Sequence, residues 1–158
     1  MGMYWVAYRR DQLFADALLA DPDLLDDLLE SEDDASVDLD KAWHGIHWLL
    51  TGSTEPSRGI ASQVIFGGQP IGDDPEDSFG QLQDAPMVAA IHTFLQAQTE
   101  DGLRTGFDPD AMNRADVYPA IWDEPDILDD YLLPIINRLK AFYASAADSE
   151  QWVIAVLG

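Results

Sequence analysis

Cysteine is absent from the 158 residues, which excludes disulfides, thiolate metal sites and thiol nucleophiles. Basic residues are scarce: Lys41, Lys140 and six arginines face 30 carboxylates, for a formal charge of -22. That field repels phosphate backbones, so nucleic acid is not an expected partner. Long apolar runs are also lacking, since every greasy stretch is interrupted by Asp, Arg or Pro well short of the ~20 residues that cross a bilayer. No membrane span is expected. The opening Met1 to Arg10 carries its basic pair after the apolar residues, the reverse of a secretory leader, so a soluble, cytoplasmic protein is expected.

What is present suits one core. Apolar residues make up 47% of a chain of single-domain length, and one domain over residues 1–158 is expected. The acidity admits two readings. It can shape a surface for a basic protein partner, or it can reflect genome composition or salt adaptation and serve solubility, the plainer account.

Met3 to Tyr8 reads as a strand, aromatic and β-branched, and Trp152 to Leu157 as a second, apolar almost throughout and hence internal to its sheet. Helical spacing places Leu13, Phe14, Ala17 and Leu18 on one helix. Pro22 opens another bearing Leu24, Leu25, Leu28 and Leu29, and Glu30 to Asp34 then reads as a solvated loop. The strongest helical pattern runs from Asp38 to Thr51, with Leu39, Ala42, Trp43, Ile46, Leu49 and Leu50 on one stripe and Gly52 past its end. Ile60 to Phe66 reads as a strand or a short helix, Gly67 to Asp74 as turns, and Ser78 to Gln83 as a short edge strand. Pro86, Pro109 and Pro125 each suit the first turn of a helix, whereas Pro134 falls inside a helical pattern and must bend or break it. The expected class is therefore α/β or α+β: a helix-rich layered domain on a small mixed sheet that holds both terminal strands.

Three stretches carry a family pattern: Asp40 to Gly52 (DKAWHGIHWLLTG), Gly67 to Gly72 (GGQPIG) and Tyr118 to Glu124 (YPAIWDE). In these, and in the opening strand and Leu139 to Tyr143, the chain resembles the YfbM-like family. The resemblance implies an α/β layered fold of unknown function and supplies no catalytic residue.

The most suggestive constellation lies on the predicted 38–51 helix, where Asp40, His44, His47 and Thr51 share one flank. Two imidazoles at i and i+3 with a carboxylate one turn earlier can ligate zinc or orient a base, although a third strong ligand would have to come from elsewhere. The competing reading makes both histidines packed rings beside Trp43 and Trp48, with His47 at the border of burial, His44 further out, and Asp40 a first-turn cap. Asp123, Glu124, Asp126, Asp129 and Asp130 can include a general acid paired with a base, as in glycoside hydrolysis, but the place of Asp123 and Glu124 just before Pro125 is explained by helix capping and solvation. Trp48, Tyr118 and Trp122 can line an interaction surface, or pin loops to the core. Gly67, Gly68 and Gly72 match no nucleotide-binding fingerprint, and no cofactor is expected. The expectation is a non-catalytic interaction or regulatory protein with an acidic surface. The alternative is a metal-assisted hydrolase using Asp40, His44 and His47 with Asp123 or Glu124.

Overall fold

The computed structural model describes residues 2–31, 35–72 and 80–158. Elements follow in the order β1 (Trp5–Arg10), α1 (Gln12–Ala20), α2 (Leu24–Glu30), β2 (Ser36–Asp38), a 3-10 turn (Asp40–Ala42) and α3 (Trp43–Thr51). Next come α4 (Ile60–Phe66), β3 (Gln69–Pro70), β4 (Gly80–Gln83), α5 (Ala85–Gln96), α6 (Glu100–Gly106) and α7 (Pro109–Arg114). A π-helical turn (Leu128–Leu132), α8 (Leu133–Asp148) and β5 (Trp152–Leu157) close the chain.

One five-stranded sheet in the order β2-β1-β5-β4-β3 organises the molecule, and each of its ladders is antiparallel rather than a mixture of directions. Of the two class descriptions, α+β is the one that applies. The terminal strands pair with each other, Trp5 opposite Leu157 and Arg10 opposite Trp152, and β5 occupies the centre of the sheet. Their side chains alternate as a two-residue period requires. Trp5, Ala7, Val153 and Ala155 face the larger core under α3 to α8, whereas Tyr8 and Ile154 join Leu82, Ile71 and the apolar sides of α1 and α2. The sheet is thus covered on both faces, which is why its central strand is apolar on both.

Several boundaries depart from the sequence pattern for identifiable reasons. The predicted helix over 38–51 begins only at Trp43: Asp38 ends an edge strand, and Asp40 has left-handed backbone at φ 52°. The Asp38 carboxylate accepts the Asp40 N–H at 2.7 Å and stabilises that turn. Ile60–Phe66 is a helix, and β4 is paired on both sides, so it is not an edge strand; Ser78 lies outside the described residues, as do Asp73 and Asp74 of the predicted turn and Glu32 to Asp34 of the predicted loop. Asp84 caps α5, with Pro86 in its first turn, and α5 ends at Gln96 because Thr99 caps α6 instead. Pro134 sits in the first turn of α8, where the π turn hands over to α geometry. The Leu133 N–H closes on Leu128, and the proline that follows has no N–H to leave unpaired.

A buried polar group ties the larger core together. The Tyr143 hydroxyl donates to Gln83 Oε1 at 2.7 Å, while the Gln83 amide donates to the carbonyls of Gln63 and Gly67, both at 3.3 Å. One side chain therefore joins α8, β4 and the end of α4.

Candidate functional site

Because α3 starts at Trp43, the predicted flank divides. His44, His47 and Thr51 stay on one side of α3 over the loop that follows it, and Asp40 turns away from them. Tyr118 donates its backbone N–H to His44 Nδ1 at 2.8 Å, which leaves Nε2 to carry the ring proton and donate to the Thr54 carbonyl at 3.2 Å. Both ring nitrogens of the half-buried His44 are thereby engaged, and the ring stacks on Trp43 at 5.0 Å. His47 lies deeper than its pattern suggests, at 0% exposure. Its Nε2 donates to the Glu55 carbonyl at 3.0 Å, its ring packs T-shaped on Phe66 with centroids 4.8 Å apart, and its Nδ1 is buried with no partner among the described residues. Burial holds its pKa below the ordinary histidine value, opposed by the Glu55 bond, with repulsion from His44 acting in the same direction as burial. Among the described residues no three His, Asp or Glu side chains are grouped to hold one metal ion.

Asp40 belongs to a different place. Its Oδ2 accepts the Tyr131 hydroxyl proton at 3.0 Å, and burial first, then this carboxylate, pushes the Tyr131 pKa well above the ordinary phenol value. The two residues stand in a cleft of about 590 Å³ between Asp40 and Lys41 on one side and the 119–131 segment on the other. Pro119, Ile121, Pro125 and Ile127 give it an apolar lining, around which stand the carboxylates of Asp40, Glu124, Asp126 and Asp130. Among the described residues Lys41 is the one cation lining it, so four negative charges face one positive charge there. Asp40, Ala120 and Asp126 all have positive φ (52°, 68° and 60°), an uncommon state outside glycine that turns the backbone sharply along both walls.

The other singled-out residues hold these walls in position. Asp123 faces away from the cleft and accepts the Asn113 side-chain N–H at 2.8 Å, so only Glu124 of that pair joins Asp40. Tyr118, after which the peptide to Pro119 is cis, uses its hydroxyl to accept the Met3 N–H at 2.8 Å. Trp122 is 1% exposed and donates its indole N–H to Val117 O at 2.8 Å, which places it in the core rather than at a surface. It lies directly on Gly45, where a Cβ would come within 2.3 Å of its ring. Trp48 is half-buried against the same core. Asp126 and Asp130, of the predicted carboxylate set, also line the cleft, and Lys41 and Tyr131 complete it without having been singled out. The run of carboxylates around Pro125 was the available signal, and it reads equally well as a helix cap.

A family model for a domain of unknown function, DUF1877, matches residues 1–156. Among solved structures, a protein of unknown function from Escherichia coli, YfbM, is similar with a TM-score of 0.78 at 21% sequence identity, over 98% of this chain and 99% of that one. Likeness at that identity speaks for the fold alone. No curated relative matches the chain. With a family match across nearly its whole length, and with the terminal strands, the Trp43 helix and the Tyr118 connector all placed in one fold, the chain belongs to the DUF1877 family.

Proposed function

We propose that the chain is a non-catalytic interaction protein of the cytoplasm that takes a cationic side chain of a basic protein into the cleft between Asp40 and the 119–131 segment. The observation that carries this reading is the composition of the cleft, four carboxylates around an apolar lining. A guanidinium on its three-carbon stem has the matching anatomy, with apolar stem against Ile121 and Ile127 and charged head among the carboxylates. The charge of -22 adds long-range attraction, which speeds encounter with a basic partner and weakens as salt is raised. A metal-assisted hydrolase has less support, because both nitrogens of His44 are bonded within the protein and neither His44 nor His47 lines the cleft that holds Asp40 and Glu124.

The test separates the cleft from bulk charge. A fluorescein-labelled arginine-rich peptide is titrated with the protein, with the variant Glu124→Gln/Asp126→Asn/Asp130→Asn, and with a variant neutralised at three exposed positions elsewhere, Asp16, Asp101 and Asp110. The cleft variant is expected to lose at least tenfold in affinity and the other variant less than threefold. Equal losses in the two would assign the binding to net charge and refute the cleft.

A further inference from the structure

A second cavity, of about 320 Å³, opens at the opposite chemistry. It lies between the edge strand β2 and helix α8 and is lined by Arg9, Val37, Asp38, Arg138, Phe142 and Ser145, among others. Arg9 continues the face of β1 that carries Trp5 and Ala7, the face covered by α8. Arg138, Phe142 and Ser145 recur at i, i+4 and i+7 and so share one side of α8. Two arginines are thereby brought to one cavity in a chain that has only eight basic residues.

Neither arginine forms an ion pair among the described residues, although carboxylates outnumber cations almost four to one, 30 against 8; Arg58 and Arg114 share that state, whereas Arg104 pairs twice, with Glu100 and Asp129. Arg9 instead donates to the neutral Gln151 Oε1 at 3.0 Å, and Arg138 has no hydrogen-bond or ion-pair partner among the described residues. Even Asp38, which lines the same cavity, forms no ion pair with either, and its Oδ1 is occupied by the Asp40 N–H. Two arginines lining one cavity set like charges near each other, offset in part by the Asp38 carboxylate of the same lining, and the planar forks of two guanidiniums match the oxygens of a phosphate or carboxylate.

We propose that this cavity binds a small molecule through a phosphate or carboxylate group held by Arg9 and Arg138, with the Ser145 hydroxyl as a further donor. Phe142 and Val37 supply an apolar wall for the remainder of that molecule. The site is separate from the acidic cleft, with which it shares no lining residue, and its occupancy does not depend on the function proposed above.

Inorganic phosphate and malonate, in separate arms at constant ionic strength, are titrated into ¹⁵N-labelled full-length protein while the amides of residues 36–38 and the arginine Nε–Hε groups are followed. Saturable shifts at these positions are expected with at least one probe, and the arm that saturates identifies the oxyanion. Arg138 is exposed and unbonded, so Arg138→Gln leaves the fold intact, as its melting curve verifies; this variant is expected to weaken binding at least fivefold, and Arg114→Gln, outside the cavity, less than twofold. Absence of saturation by both probes, or a loss in Arg138→Gln smaller than fivefold, overturns the proposal.

Discussion

Replacing Gly45 by alanine sets two effects of opposite sign against each other. Within a helix, Gly to Ala is intrinsically worth about 1 kcal/mol in favour of alanine, because glycine has more backbone freedom to lose. At this position the added Cβ would lie 2.3 Å from Trp122 Cη2, 2.8 Å from Cζ2 and 2.9 Å from Cζ3. Carbon atoms attract one another best near about 3.5–4.0 Å, so three ring atoms would be driven up the repulsive wall at once. The ring cannot swing aside, since it is 1% exposed and its indole N–H is held on Val117 O at 2.8 Å. Overpacking of this kind costs about 1–3 kcal/mol, and with three contacts below 3 Å the upper part of that range applies, for a net loss of about 2 kcal/mol. In a domain of this size that lowers the melting temperature by about 4–8 °C. Circular-dichroism melts of Gly45→Ala measure it, and Trp122→Phe in the same background should recover part of the loss by shortening the ring. An unchanged or raised melting temperature in Gly45→Ala would refute the packing argument.

Tyr143→Phe strands Gln83 Oε1 in the core and should cost about 1–3 kcal/mol in urea unfolding, with the slope against denaturant unchanged. The buried His47 binds its proton less readily when folded than when unfolded. Its contribution is therefore complete above the ordinary histidine pKa of about 6.5 and is lost as pH falls through the lowered folded value. Urea melts from pH 7.5 to 5 should show the difference between the parent and His47→Gln shrinking toward acid, and a difference that grows toward acid would contradict the burial of a neutral ring. With a formal charge of -22 the folded chain repels itself, so sodium chloride raised from low concentration to physiological strength should increase the melting temperature. A melting temperature that falls over the same range would show that attractive ion pairs outweigh this repulsion.

Much of the fold is visible in residue pattern because its elements are locally consistent. Trp152 to Leu157 is apolar on both faces and occupies the centre of a covered sheet, and Asp84 and Asp108, each followed within two residues by proline, cap α5 and α7 as their positions imply. The start of α3 was concealed for a physical reason. The 3-10 turn Asp40–Ala42 preserves the i, i+3, i+4 spacing of Leu39, Ala42 and Trp43, so an apolar stripe runs unbroken across a change of backbone, and nothing in the residue types marks the left-handed turn at Asp40. That one residue redirects the predicted flank, sending Asp40 to Tyr131 while His44 and His47 stay over Thr54 and Glu55. The cleft was hidden differently: its two walls lie about 80 residues apart in the chain, and local periodicity carries no information on such pairings. The same holds for Arg9 and Arg138, which the strand and the last helix bring together from opposite ends of the chain.

The proposed role of the acidic cleft is tested most directly by mapping where a basic ligand sits. An arginine-rich decapeptide titrated into ¹⁵N-labelled protein at physiological salt is expected to give saturable shifts concentrated at Asp40, Lys41 and residues 119–131, including the Ile121 and Ile127 amides beside the apolar lining. Shifts of equal size spread along the acidic surfaces of α1 and α2 with the cleft unmoved, or no saturation at all, would contradict the account.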